Sequence, residues 1–130
     1  MLPLAAGSPE RHHVLVVEDS IVLRCLVAEH LREAGLQVAE ARCAADAMSY
    51  LKAGGRMDLL LTDVEMPGAI DGLELAKRIR EEFPVLPIIV TSGNSTHALG
   101  VRSGIFLAKP YNMRRFVKVV LELLNIEPPT

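Results

Sequence analysis

The stretch VLVVEDSIVLRCLVAEHLREAG, residues 14–35, predicts one strand followed by one helix. Val14 to Val17 is a short, continuous aliphatic run, which is typical of a strand covered on both faces. Ser20 then provides a helix N-cap, and Gly35 ends the helix. Between them the apolar residues recur at helical spacing: Leu23, Leu26, Val27, Leu31 and Ala34.

The same strand-then-helix alternation repeats along the chain. Further strands are predicted at 36–40, 58–62, 87–91 and 105–108, and helical patterns lie within 44–51, 71–83 and 113–124. Asp71 and Glu74 have the spacing of a capping box at the start of the third helix. Five strands alternating with helices predict a three-layer α/β fold, in which helices cover both faces of a parallel sheet.

Length and composition limit the function classes. The chain has 130 residues, of which 50% are hydrophobic and only 4% aromatic, and its net charge is -2. One aliphatic core is expected, and binding to nucleic acid is disfavoured because there is no excess of positive charge. No apolar run has the length of a membrane span, and Met1 to Ala6 lacks the features of an export signal. We therefore expect a cytoplasmic protein.

Both ends of the chain lack periodic patterns. Residues 1–11 are rich in proline and glycine and predict a disordered tail, and residues 126–130 predict a second tail. The domain is expected to span residues 12–125. Cys25 and Cys43 have no metal-ligand spacing, and we interpret them as buried thiols without a function.

Polar residues gather at the carboxyl ends of the predicted strands, where ligands bind in open parallel sheets. They are Glu18, Asp19, Asp63, Thr91, Ser92 and Lys109. Three carboxylates in one cleft repel one another unless protons or a cation intervene. Because these are hard oxygen donors, with no His or thiolate among them, the pattern predicts a Mg²⁺ site rather than a zinc site.

Asp63 is the predicted nucleophile. A carboxylate beside a dication and an ammonium group can attack a phosphoryl group and form an acyl phosphate. Lys109 would neutralise oxygens of the transferred group, and the Thr91 hydroxyl would donate a hydrogen bond to them.

The order of these motifs resembles the receiver domain of two-component response regulators, and in particular the stand-alone type. The resemblance covers about residues 12–125 and rests on Glu18-Asp19, Asp63 followed by Met66-Pro67-Gly68, Asp71-Gly72, Thr91-Ser92-Gly93 and Lys109-Pro110. It implies a flavodoxin-like fold with the strand order 2-1-3-4-5.

The resemblance also implies a role for each site residue. Asp63 would accept a phosphoryl group from a sensor histidine kinase or a phosphotransfer protein, Lys109 would contact the phosphate, and Thr91 and Phe106 would form the switch. The implied Mg²⁺ ligands are Glu18, Asp19, Asp63 and the backbone carbonyl of Glu65. The chain would catalyse only its own phosphorylation and dephosphorylation, and it would change protein–protein interactions rather than act as an enzyme on other substrates.

Two departures from the common family pattern bear on these expectations. One additional residue lies between Pro67 and Asp71, and the segment from Thr91 to Lys109 is about one helical turn short, with three glycines that favour a short helix. Monomer and homodimer both stay open. A phosphorylation-independent adaptor is the alternative function, and a Mg²⁺ phosphatase acting on a small substrate is disfavoured because a well-placed second acid is missing.

Overall fold

The computed structural model describes residues 12–102 and 104–126, and its five strands form one parallel sheet in the order β2-β1-β3-β4-β5. The strands are β1 (His13–Val17), β2 (Gln37–Ala41), β3 (Leu59–Asp63), β4 (Ile88–Ser92) and β5 (Ile105–Ala108). The implied strand order and the predicted α/β class are confirmed. The predicted tail at 1–11, and residues 127–130 of the predicted tail at 126–130, lie outside the described residues.

Helices cover both faces of this sheet. The described α-helices are α1 (Ile21–Glu33), α2 (Ala44–Lys52), α3 (Gly72–Glu82) and α4 (Met113–Leu123). Alternate strand residues point to opposite faces, so Val14 and Val16 pack in the cluster that contains Leu31 and Phe116, on the side of α1 and α4. The intervening strand residues pack in a second cluster with residues of α2 and α3: Leu15, Val17, Ala47, Leu75 and Ile79.

Local sequence signals fix the ends of the helices. The Ser20 side chain accepts a hydrogen bond from the Leu23 N–H at 3.3 Å, and Asp71 accepts one from the Glu74 N–H at 2.9 Å. Gly35 ends the first helix with φ of 94°, a conformation that favours glycine. Only half of the predicted capping box forms, since the Glu74 carboxylate pairs with Arg78 instead.

Several expectations need correction in detail. The third and fourth strands end one residue later than predicted, at Asp63 and Ser92, because Asp63 pairs with Thr91 on β4 and Ser92 pairs with Ala108 on β5. Ile126 was assigned to a tail, but it is buried and its N–H donates to the Leu121 carbonyl. The thiols are not buried, because Cys25 is exposed and Cys43 is half-buried.

The connection between β4 and β5 contains a short 3-10 helix, Ser95–Gly100, which we call the 3-10 segment. The Asn94 side chain caps it by accepting the Thr96 N–H at 3.0 Å. This agrees with the short helix that the glycines predict. Among the described residues, no helix combines the length and the apolar character that crossing a membrane requires.

Candidate functional site

The acidic residues predicted from the strand ends meet at one edge of the sheet. Glu18 and Asp19 directly follow β1, and Asp63 is the last residue of the adjacent β3. One carboxylate oxygen of each residue lies within 4.8 Å of the others. The predicted carboxylate cluster is therefore present at the carboxyl ends of neighbouring strands.

Lys109 reaches this cluster from the end of β5. Its Nζ lies 2.8 Å from Glu18 Oε1 and 3.3 Å from Asp63 Oδ1. The Lys109 backbone N–H donates to the Ser92 carbonyl at 2.9 Å, which anchors this residue to the end of β4. The Glu18 and Asp63 side chains are only 7% and 6% exposed. Lys109 contacts two of the three acidic side chains of the cluster, so the cluster has more acidic groups than cations.

Burial and neighbouring charges set the proton affinities in this site. Burial, followed by repulsion from Glu18, raises the pKa of Asp63, although Lys109 opposes the shift. Burial alone would lower the pKa of Lys109, but the hydrogen bond and charge of Glu18, assisted by Asp63, raise it. The ammonium form of Lys109 is therefore stabilised. For the Asp63 carboxylate, the positive charge of Lys109 does not fully offset burial and the repulsion from Glu18. Such an imbalance is typical of functional sites.

Thr91 and Phe106 lie at different distances from the acidic residues along the sheet. Thr91 is buried on β4 and is the direct ladder partner of Asp63. The Val64 N–H donates to the Thr91 carbonyl at 2.9 Å, so the chain after Asp63 stays attached to β4. Phe106 is half-buried on β5 and pairs with Val90, outside the charged cluster.

Glu65 connects the two sides of the site. Its backbone N–H lowers the pKa of Asp63. Its side-chain Oε1 lies 3.1 Å from Ser92 Oγ and 3.7 Å from His97 Nδ1. Although the Glu65 side chain is 63% exposed, it is attached to the end of β4 and to the 3-10 segment.

The loop from Val64 to Gly72 brings α3 against the end of β3. The Gly72 N–H donates to the Val64 carbonyl at 2.9 Å. A Cβ atom on Gly72 would overlap the backbone oxygen of Asp63, so this close approach requires glycine. Gly68 has φ of 113° within the loop that carries the additional residue.

Sequence reasoning missed two residues at this site. His97 received no role, yet its Nδ1 lies 2.7 Å from Ser92 Oγ, and no sequence motif signals that contact. Tyr111 packs against Phe116 with ring centroids 5.2 Å apart. Burial, with the charges of Glu18 and Asp63, raises the pKa of Tyr111. Its position two residues after Lys109 is the one signal that places it near the site.

The donor set fits magnesium. The cluster supplies three carboxylate oxygens and contains neither imidazole nor thiolate. Oxygen-only coordination suits Mg²⁺, whereas structural or catalytic zinc favours His and Cys ligands. The residues present are therefore compatible with the predicted Mg²⁺ cofactor.

Comparisons with known proteins agree on one family. Residues 14–121 match the family model described as the response regulator receiver domain. The crystal structure of a response regulator receiver protein from Sinorhizobium medicae is 31% identical, with a TM-score of 0.79, and the match covers 88% of this chain and 94% of that one. The response regulator TrrA from Thermotoga maritima, solved in complex with Mg²⁺ and BeF, is 29% identical with a TM-score of 0.75, and the match covers 86% of this chain and 98% of that one.

Curated relatives are larger proteins. The sensor histidine kinase CheAY of Helicobacter pylori is 30% identical over 93% of this chain, and the transcriptional regulator NtrC of Azospirillum brasilense is 34% identical over 89%. The chain spans only 16% and 25% of their lengths. The part that these relatives share with this chain is one domain. Together with the matched family model, this similarity shows that the chain belongs to the response regulator receiver domain family of two-component systems.

Proposed function

We propose that this chain is a phosphate-accepting switch in which Asp63 receives a phosphoryl group from a phosphohistidine of a sensor histidine kinase or phosphotransfer protein. The observation that carries the proposal is the Lys109 ammonium, which lies 2.8 Å from Glu18 Oε1 and 3.3 Å from Asp63 Oδ1. This geometry sets a cation beside the carboxylate that would receive the phosphoryl oxygens.

The transfer uses the side chains at the strand ends. An Asp63 carboxylate oxygen attacks phosphorus, the bond from phosphorus to the histidine nitrogen breaks, and the leaving nitrogen keeps the electron pair and takes a proton from solvent, which regenerates neutral imidazole. Lys109 neutralises oxygens of the transferred group, and the hydroxyl of Thr91, the ladder partner of Asp63, donates a hydrogen bond to one of them. Asp63 must be ionised to attack, so nearby positive charge favours the reaction.

The metal site proposed for this reaction consists of Glu18, Asp19, Asp63 and the backbone carbonyl of Glu65. When bound, Mg²⁺ would supply positive charge that stabilises the transferred phosphoryl oxygens. The three carboxylates already converge within 4.8 Å. The similarity to TrrA, which was solved with Mg²⁺ and BeF, supports the same metal for this chain.

Phosphorylation then changes the protein surface. A phosphoryl group adds charge near -2, and Thr91 and Phe106 are the proposed switch residues that respond to it by favouring a second conformation. Because Thr91 leads directly into Ser92 and the 3-10 segment, a shift at Thr91 would be transmitted to that surface. The output is binding to a protein partner, in the cytoplasm, as a monomer or a homodimer.

Beryllofluoride, a stable phosphoryl mimic, tests the switch. Titration of the ¹⁵N-labelled chain with Mg²⁺ and beryllofluoride should shift the amide signals of Thr91 and of the 3-10 segment, and the Asp63→Asn variant should show none of these shifts. Unchanged amide signals around Thr91 in the wild-type chain would favour the phosphorylation-independent adaptor.

A further inference from the structure

Arg24, in the first turn of α1, reaches back to the turn that follows β1. Its Nη1 donates to the backbone carbonyl of Glu18 at 3.0 Å, and its Nε lies 3.3 Å from Oε1 of Glu40 on β2. The Arg24 side chain is 17% exposed and the Glu40 side chain 27%. One guanidinium group therefore joins α1, the edge strand β2 and the turn that carries Glu18 and Asp19.

The orientation of this guanidinium is fixed from both sides. The second carboxylate oxygen of Glu40 lies 3.1 Å from Nη2 of Arg32, near the carboxyl end of α1, so each oxygen of Glu40 faces one arginine. Arg24 uses Nε toward Glu40 and Nη1 toward Glu18. Because the guanidinium is planar and rigid, two contacts through different nitrogens define its direction.

The peptide unit that Arg24 holds is the one that leads into Asp19. The Glu18 carbonyl and the Asp19 N–H belong to the same planar peptide unit, so a contact that fixes the carbonyl also fixes where Asp19 begins. Since β1 ends at Val17, this unit lies beyond the strand. The hydrogen bond from Arg24 thus restrains the backbone just where the chain leaves the sheet.

Asp19 depends on its backbone more than the other two carboxylates do. Lys109 contacts the side chains of both Glu18 and Asp63. The Asp19 side chain is exposed, and among the described residues no hydrogen bond or ion pair holds it. One of its oxygens still lies within 4.8 Å of oxygens of the other two acids. Its place in the cluster is therefore set by its rotamer and by the peptide unit before it.

We propose that Arg24 is a positioning residue for Mg²⁺ binding, which acts by holding the peptide unit between Glu18 and Asp19 and depends on Glu40 for its own orientation. The inference rests on the proposed function, since it concerns the Mg²⁺ site proposed there. A ligand that is restrained before the metal arrives loses less conformational freedom on binding. Residues that orient metal ligands typically change metal affinity by about 10- to 100-fold.

The charge of Arg24 acts in the opposite direction. A guanidinium close to a cation site repels the cation, so a neutral replacement would by its charge alone tighten Mg²⁺ binding. Positioning predicts weaker binding after the same replacement. The sign of the change in affinity therefore distinguishes the two roles.

The test is the Mg²⁺ dissociation constant of the unphosphorylated chain, measured by calorimetric titration with MgCl₂ at constant ionic strength. Arg24→Met keeps a long apolar side chain without a donor and should raise the constant about 10-fold. Arg24→Lys keeps the charge but replaces the fork with one ammonium group, and it should raise the constant about 3-fold. Arg78→Met, which removes the same charge from an ion pair on α3, should leave the constant unchanged.

Two further measurements separate positioning from a general loss of stability. In the metal-free chain, ¹⁵N relaxation should show a more mobile Asp19 amide in Arg24→Met than in the wild type, while the amides of β3 stay unchanged. Glu40→Gln should raise the dissociation constant about 3-fold in the wild-type background and have no further effect in the Arg24→Met background.

Each part of the proposal has a result that would overturn it. If both Arg24 variants bind Mg²⁺ as tightly as the wild type, or more tightly, the positioning is wrong while the switch stands. An equal effect of Glu40→Gln in both backgrounds would overturn the dependence on Glu40. A wild-type chain that binds no Mg²⁺ would instead refute the metal site of the proposed function and, with it, this inference.

Discussion

At the scale of single residues, the charge balance of the site depends on Lys109. It is the ammonium group in contact with both Glu18 and Asp63, whose side chains are nearly buried. A buried charge that loses its partner is costly because no water replaces the lost interaction. The residue that serves the chemistry therefore also stabilises the folded state.

Replacing Lys109 with alanine should lower the free energy of unfolding in metal-free buffer by about 2 kcal/mol, since Glu18 and Asp63 then repel each other without a cation. Urea denaturation measures the change. Lys118→Ala is the matched control, an exposed lysine on α4, and it should change stability by less than about 0.5 kcal/mol. Equal losses in the two variants would contradict this role of Lys109.

Asp63 should make stability depend on pH in a definite direction. Burial and Glu18 raise its pKa above the ordinary value of 3.8, so the folded chain binds the proton more tightly than the unfolded chain. The contribution of Asp63 to stability thus falls as pH rises from 3.8 through the raised pKa, and it stays unfavourable at neutral pH.

Asp63→Asn should therefore raise the thermal midpoint at pH 7 without Mg²⁺, and this advantage should shrink as the pH approaches 3.8. Thermal unfolding followed by circular dichroism across this pH range measures the difference. A variant that is less stable than the wild-type chain at pH 7 would show that Lys109 outweighs burial.

At the scale of elements, the site depends on how closely α3 approaches the end of β3. Asp71 caps α3, and Gly72 lets its first turn contact the backbone of Asp63. The Asp71 cap follows from residue type and spacing, and the sequence predicted it, whereas the contact at Gly72 was not predicted. The contacts of Glu65 with Ser92 and His97 were not predictable, because they depend on the conformation of the loop after β3 and of the 3-10 segment.

Gly72→Ala should destabilise the chain by about 2–4 kcal/mol, because its Cβ overlaps the Asp63 backbone oxygen and α3 must move. Chemical denaturation quantifies the loss. Gly93→Ala provides the control, since a Cβ there meets no atom within 4 Å. If both alanine variants unfold at the same denaturant concentration, the close approach of α3 to β3 does not require glycine at position 72.

At the scale of the whole molecule, the parallel sheet gathers residues that are far apart in the chain. Glu18 and Lys109 are separated by 91 positions and still form a hydrogen bond of 2.8 Å. The alternating pattern predicts the layers and the shared edge of strand ends, but not the order of the strands, which came from the family resemblance. Periodicity identifies elements without stating which of them are neighbours.

Binding of Mg²⁺ should stabilise the whole fold, because the folded chain alone assembles the carboxylates. At a concentration 100 times the dissociation constant, the gain is about 2.7 kcal/mol. Asp19→Asn should lose most of it, whereas Asp46→Asn, which alters an exposed ion pair on α2, should keep it. Denaturation in MgCl₂, compared with NaCl of equal ionic strength, measures the gain, and no difference between the two salts would exclude the site.

The most direct test of the central claim is the intact mass of the chain after incubation with acetyl phosphate and Mg²⁺. We expect the wild-type chain to gain one phosphoryl group, located on Asp63 by fragmentation, and the Asp63→Asn variant to gain none. An unmodified wild-type chain, or an equal gain in the Asp63→Asn variant, would contradict the account.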